Sequence, residues 1–317
     1  MIKKILNKIK EKGFKVTLLL IMQKIRRKIY IEYNPFYNKK NFLYNEWKNY
    51  WKAYNFIKRK YKKNVLNIEK KKGSGVYSNK VWWCWLQGED NLPELQKKCL
   101  KSIKKHLIDR EIIIITNENL YDYIELPEYI RRKYKEGIIT NTHFSDLIRL
   151  QLLIKYGGTW IDSTAYCTGY DKSLFDKPLF VYKDCNNIWF ANKNRFEQQP
   201  IIADSWFITA EVENPILIAV RDMLFEYWKD NNYLIGYFTL HYFFTLVVNY
   251  KYKKEFDEIP IMSNLTPHIL QYKCLNEYNE EEFKEITKQS TFHKLTHKIP
   301  KDKIKENSFY NYILKNG

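Results

Sequence analysis

From Ile2 to Tyr30 the apolar positions Ile2, Ile5, Leu6, Ile9, Val16, Leu20, Ile21, Ile25 and Ile29 return at close to helical spacing, with lysines and arginines between them. That period predicts one or two basic amphipathic helices. Such helices suit two settings: packing on a main domain, or lying at an anionic lipid surface. Residues 31–72 continue as a helix rich in Lys, Tyr and Trp, and Lys70-Lys71-Lys72-Gly73-Ser74-Gly75 then breaks the pattern. The period changes there. Val81-Trp82-Trp83-Cys84-Trp85-Leu86 reads as a short buried strand closed by Gln87-Gly88, residues 93–106 as a helix, and Glu111-Ile112-Ile113-Ile114-Ile115-Thr116 as a second, mostly apolar strand. Strand, helix, strand in that order predicts a parallel sheet covered on both faces. Further helices are predicted at 126–134, 143–156, 215–229 and 237–249, and strands at 159–162, 179–181 and 205–209. The expected organisation is a basic helical region over 1–72 followed by an α/β domain over 76–317.

The helix predicted at 143–156 is apolar on several faces, through Leu147, Ile148, Leu150, Leu152, Leu153 and Ile154, which predicts burial. Asp146 and Arg149 stand three apart on it and share a face. Bare charges there would carry a large desolvation cost, so they either pair with each other or also grip polar groups of a ligand. Gly157-Gly158 ends the helix by supplying the left-handed cap conformation, and Thr159-Trp160-Ile161 runs as a strand into Asp162. The carboxyl end of a strand in an open α/β sheet is where ligands bind, and a carboxylate there can meet a metal or sugar hydroxyls. The plainer reading of Asp162 is a turn-forming residue.

Composition narrows the partners. With 317 residues, of which 45% are hydrophobic, there is enough apolar surface for one large core, which excludes general disorder. The formal charge of +18 predicts attraction to something anionic, and its excess is mostly N-terminal, since residues 1–72 hold 22 Lys or Arg against four Glu. A nucleic-acid partner is the rival explanation of charge and aromatics, but no recognisable RNA or DNA motif accompanies them, so none is expected. Cys84, Cys99, Cys167, Cys185 and Cys274 are scattered without a C-x-x-C pair and read as reduced core thiols of a cytosolic protein. No run approaches the ~20 apolar residues of a membrane span.

Three segments together carry a family resemblance: Trp82-Trp83-Cys84-Trp85-Leu86-Gln87-Gly88, then Ser145-Asp146-Leu147-Ile148-Arg149, then Tyr156-Gly157-Gly158-Thr159-Trp160-Ile161-Asp162-Ser163-Thr164. Over roughly residues 80–300 the chain resembles the bacterial capsular polysaccharide synthesis family, which is related to the DXD-containing glycosyltransferases of family 32 and, distantly, to the clostridial glucosylating toxins. The resemblance implies an α/β fold with a GT-A-type (Rossmann-like) nucleotide-sugar-binding domain and an N-terminal helical extension. It implies transfer of a hexose, galactose or glucose, from a UDP-sugar to a lipid-linked oligosaccharide acceptor in capsular or surface polysaccharide synthesis, with retention. The expected partners are therefore the UDP-hexose donor, the lipid-linked saccharide and an anionic membrane surface, with the protein peripheral on the cytoplasmic face. A basic nucleic-acid- or membrane-binding protein without transferase activity is the alternative.

Carried over by position, the resemblance places Trp85 on the nucleobase, with Gln87 and Ser163 also in the donor site, and Asp146 and Arg149 on sugar or ribose hydroxyls. Asp162 falls on the first acidic residue of the DXD motif, but the second acidic position is Thr164. A lone carboxylate binds Mn²⁺ or Mg²⁺ weakly, so donor phosphates, water and another side chain must complete the shell. The stretch Phe292-His293-Lys294-Leu295-Thr296-His297-Lys298 is read as a late loop that brings His293 to the metal and Lys294 or Lys298 to the diphosphate, with a plain surface loop as the other reading. The expected metal residues are thus Asp162, Thr164 and His293, and the expected catalytic residues Asp162, Asp204 and His241. The last two belong to the acceptor side, where Asp204-Ser205-Trp206-Phe207 and His241-Tyr242 resemble parts of the family.

Overall fold

The protein is represented by a computed structural model that describes residues 14, 17, 18, 39–183, 200–299 and 301–316. Apart from residues 14, 17 and 18, which are helical, the amphipathic stretch at 2–30 lies outside the described residues, as does Cys185.

A long helix α1 (Lys39–Asn67) leads into β1 (Lys80–Cys84), α2 (Glu94–His106), β2 (Glu111–Ile115), α3 (Glu128–Lys135), α4 (Asn141–Tyr156) and β3 (Gly158–Ile161). Then follow β4 (Ala165–Cys167), β5 (Leu179–Lys183), β6 (Ala203–Ala210), α5 (Pro215–Asp230), α6 (Thr239–Val247), α7 (Leu265–Lys273), α8 (Glu280–Gln289), β7 (Phe292–Lys294) and α9 (Phe309–Asn316). Five strands form one sheet in the order β2-β1-β3-β6-β5. β1 runs parallel to both β2 and β3, whereas β6 joins β3, and β5 joins β6, antiparallel. The sheet is thus mixed, and the wholly parallel arrangement expected from strand–helix–strand holds only for its first three strands. Those three have crossover helices between them, which parallel neighbours require and antiparallel neighbours do not.

The strand β1 is interior, between β2 and β3, and Val81, Trp82 and Trp83 are fully buried, as a strand covered on both faces demands. On α1 the residues Tyr54, Ile57, Tyr61 and Val65 follow at spacings of three or four and are buried in the same core as the sheet. They face α5 and α6. The break at residues 70–75 is therefore a change of direction within one core, and residues 48–67 share that core with the α/β domain.

The C-terminal segments build a second, smaller core from Leu270, Ile286, Leu295, Phe309 and Ile313, closed by Leu95 and Cys99 of α2 and by Tyr166. Within it β7 pairs antiparallel with β4, setting Ala165 opposite Lys294, Tyr166 opposite His293 and Cys167 opposite Phe292. The stretch expected as a late loop is a strand over 292–294. Cys84, Cys99, Cys167 and Cys274 are free thiols.

Candidate active site

The turn from α4 into β3 aims the site. Gly157 (φ 65°) and Gly158 (φ 89°) both take positive φ, and a Cβ on Gly158 would run into the Lys80 carbonyl oxygen, so only glycine lets β3 lie this close to β1. The register Val81–Thr159 and Trp82–Trp160, carried forward, sets Cys84 beside Asp162. Trp85 and Asp162 thus leave the same carboxyl edge of neighbouring parallel strands. β2 lies on one side of β1 and β3 on the other, which makes that edge a topological switch point, the place where open α/β sheets bind ligands.

Charges meet at Asp162. Arg149, with its side chain 5% exposed, stands 3.2 Å from Asp146 Oδ1 and 3.5 Å from Asp162 Oδ1 through Nη2. Its Nη1 donates to the Ser205 carbonyl, and its guanidinium lies 4.9 Å from the centre of the Trp160 ring. Trp160 Nε1 donates to Asp162 Oδ1 at 2.8 Å. From the smaller core, Lys294 Nζ reaches Asp162 Oδ2 at 2.7 Å and donates to Thr164 Oγ1, also at 2.7 Å. Burial pushes the Asp162 carboxyl up, but Lys294 and Arg149 outweigh it and hold the group below its ordinary range. Asp146 goes the other way: burial raises it more than Arg149 and His143 lower it.

Asp204 and His241 lie within electrostatic reach of this knot, the first through Lys294 and the second through Arg149 and Asp162. Asp204 Oδ2 accepts from Trp206 Nε1 at 3.0 Å, and burial raises its carboxyl against the pull of His268. His241 Nδ1 is buried without a hydrogen-bond partner among the described residues, and burial, with Arg149 nearby, pushes its imidazole down to about 3. It is therefore a neutral ring. His143 on α4 ties Thr140 Oγ1 (2.8 Å) to the Tyr237 carbonyl oxygen (3.1 Å), and Tyr237, 59% exposed, lies in the field of Asp146 and Asp162.

A sequence profile of capsular polysaccharide synthesis proteins matches residues 29–313, nearly the whole chain and all of the site just described. The chain belongs to the capsular polysaccharide synthesis protein family. A curated relative, the O-glycosyltransferase braB of Annulohypoxylon truncatum, is 33% identical over 95 residues, which cover 27% of this chain and 23% of the relative. The chain thus matches about a quarter of that protein's length. A solved structure titled PaToxG Glycosyltransferase is 13% identical, covering 86% of this chain and 95% of its own with a TM-score of 0.36, a likeness too slight to carry an argument.

In this family member the divalent ion expected with a DXD motif does not fit the donor set. Mg²⁺ requires near-octahedral oxygen ligation. At the motif positions themselves the single carboxylate, Asp162, has Oδ1 engaged by Trp160 and Arg149 and Oδ2 by Lys294, while the Thr164 hydroxyl accepts from the same ammonium. Among the described residues no group of three or more His, Cys, Asp or Glu could hold a metal. His293, expected as a ligand, is wholly buried instead. Successive strand residues point to opposite faces, so with Lys294 on Asp162 the His293 ring turns inward, where Nε2 lies 3.0 Å from Thr168 Oγ1. Burial pushes that imidazole down to about 4.

Of the other expected site residues, Trp85 is half-buried at the sheet edge with its indole nitrogen unpartnered, and packs against the main core. Gln87 is exposed, and its backbone oxygen accepts from Asn91. Ser163 is half-buried in the turn after β3, and Lys298 is exposed on the loop beyond β7. No hydrogen bond or ion pair among the described residues joins these four to the Asp162 cluster. Sequence reasoning missed Trp160, His143 and Tyr237. Trp160 was open to discovery, because residues two apart on a strand share a face, and it stands two before Asp162. His143 and Tyr237 meet across 94 residues and left no local signal.

Proposed function

We propose that this protein is a glycosyltransferase with a GT-A-type arrangement, which moves a hexose, galactose or glucose, from a UDP-sugar to a lipid-linked saccharide during capsular or surface polysaccharide synthesis. The observation that carries this reading is the Asp146–Arg149–Asp162 cluster at the carboxyl edge of β1 and β3, in a member of this family. A fork of guanidinium donors and two carboxylates beside an aromatic at a strand end can hold a sugar's hydroxyls and a flat base. The name of the fungal relative is in keeping with it.

On this reading the donor base lies on Trp85 and its sugar hydroxyls on Asp146, Arg149 and Asp162, with Gln87 and Ser163 bordering the pocket and Lys294 and Lys298 on the diphosphate. The acceptor enters past Tyr237, Asp204 and His241, and the orphaned His241 Nδ1 accepts a hydrogen bond from an incoming hydroxyl. The acceptor oxygen bonds to the anomeric carbon as the bond from that carbon to phosphate oxygen breaks. The electron pair stays with the diphosphate, which takes up the hydroxyl proton. Attack from the leaving group's side gives retention. The basic N-terminal region holds the enzyme on the anionic inner face of the membrane. Among the described residues no helix is long and apolar enough to cross a membrane.

The test is a panel of nucleotide-sugars, scored first by thermal stabilisation and then by nucleoside diphosphate release with lipid-linked acceptors. UDP-galactose or UDP-glucose should stabilise the protein, and Trp85→Ala should weaken that binding by ~1–3 kcal/mol, the range for base–aromatic stacking. A panel in which no nucleotide-sugar binds and none is consumed would end the transferase reading. A Trp85→Ala protein that is less stable yet binds donor normally would return Trp85 to the core.

A further inference from the structure

We propose that the Lys294 ammonium, seated between Asp162 Oδ2 and Thr164 Oγ1 at 2.7 Å from each, is the resident cation of the donor site and binds a nucleoside diphosphate without a divalent metal. The inference rests on the transferase reading and deepens it, since it replaces the expected Mn²⁺ or Mg²⁺ with a residue of this chain.

The position is the first argument. Asp162 and Thr164 are the two residues that a bridging metal ion would have to share, and one ammonium touches both. The remaining oxygen of Asp162 serves Trp160 and Arg149, so nothing on this carboxylate is left over for a second cation. A divalent ion could enter only by expelling Lys294 from Asp162, and it would still stand beside Arg149, which lies 3.5 Å from the same carboxylate. Like charges at such distances repel by several kcal/mol at protein-like dielectric.

Chemistry is the second argument. Threonine offers a neutral hydroxyl, a poor ligand for a hard divalent cation beside the carboxylate a full motif would supply, but a good acceptor for an ammonium. An ammonium has three donor hydrogens, and Asp162 and Thr164 take two. The third remains for a phosphate oxygen, and the side chain, 19% exposed, is reachable from solvent yet shielded enough to act strongly.

The fold is the third argument. Lys294 is delivered by a strand: β7 is locked to β4 by pairing Ala165 with Lys294, and Leu295 N donates to the Thr164 carbonyl at 2.9 Å. The backbone bearing the ammonium is thus tied to the backbone bearing its two acceptors. A flexible loop that had to fold over a metal would not need that tie. His293, which could have been a ligand from the same strand, faces away into the core.

Calorimetry on the full chain tests the idea, with UDP, GDP, ADP and dTDP each titrated in EDTA and again in Mn²⁺. At least one should bind in EDTA with an affinity within about threefold of that in Mn²⁺, a difference under 1 kcal/mol. Lys294→Met should lose about tenfold or more of that EDTA affinity, as loss of a hydrogen bond to a charged group implies, while Lys294→Arg keeps most of it. The unmodified protein decides the matter even if a variant folds poorly. Binding that appears only with Mn²⁺ and vanishes in EDTA would overturn the role of Lys294 and leave the transferase reading standing. Absence of binding for every nucleotide in both buffers would bring down both.

Discussion

Asp162 holds two cations at once, and this changes what its removal should do. Asp162→Asn leaves Arg149 and Lys294, 5% and 19% exposed, short of a counter-charge. The variant should lose ~1–3 kcal/mol of stability, the cost of unpairing part-buried polar groups. It should also lose on the order of 10²-fold in turnover, the scale for removing one preorganised electrostatic group. Thermal unfolding and rate measured on one preparation check both, and near-normal turnover would remove Asp162 from the site. The buried histidine next to Lys294 gives a second outcome. Burial pushes the His293 imidazole down to about 4 in the folded chain, whereas in the unfolded chain it takes a proton near the ordinary histidine value of 6.5. Below that value the unfolded state binds more protons, so stability present at neutral pH is lost as pH falls from 6.5 toward 4, by up to ~1.4 kcal/mol per pH unit. Urea unfolding at pH 7, 6 and 5 should show a steeper loss for the native protein than for His293→Gln. Equal slopes would mean that the ring is solvated.

The elements differ in how openly the sequence declares them. The unit α4–Gly157–Gly158–β3 was legible because a long apolar helix, two glycines and a strand each leave a distinct local mark, and the structure realises all three. The strands β4 and β7 span three residues each, too short for alternation to register, and they find each other across more than a hundred residues. This is why Lys294 was linked to the donor only through family resemblance, and why His293 was set beside the metal. Nothing in Phe292-His293-Lys294 says which side chain turns inward until its partner strand is known. Helix α1 was legible as a helix, but not as part of the core, because its buried face is built from Tyr54, Ile57, Tyr61 and Val65 amid many lysines. Two truncations separate these roles. Deleting residues 1–38 should leave a cooperatively folding protein, while deleting 1–67 should destroy the thermal transition, since it removes those four buried side chains at ~1.5–3 kcal/mol each for the larger ones. A 1–67 deletion that melts like the full chain would make α1 an appendage.

At the scale of the molecule, charge and chemistry occupy different halves. Of 54 basic and 36 acidic side chains, 22 and four fall in residues 1–72, leaving 32 of each in the rest, which carries no net charge. The described part of that basic region includes an open groove along α1 of about 730 Å³, lined among others by Lys52, Lys58, Arg59, Lys62 and Lys63. If the N-terminal region docks on lipid, each basic side chain near an anionic surface adds ~1 kcal/mol, so binding to phosphatidylserine vesicles should be firm at low salt and should fade as salt rises. Deleting residues 1–30 should weaken it by at least tenfold without altering nucleotide affinity, and cosedimentation checks this; equal binding to neutral and anionic vesicles would refute it. The last cation of the site has a history of its own. Lys294 follows Asp162 by 132 residues, so a ribosome adding ~5–20 residues per second makes the first half of the site wait about 7–26 s for the second. A message cut short before β7 would give a chain with its sheet and main core encoded but with Asp162 and Thr164 lacking their ammonium. With Lys294 as the resident cation, the site is charged only once β7 has been made, and a chain cut short before it would lack the group that holds the diphosphate.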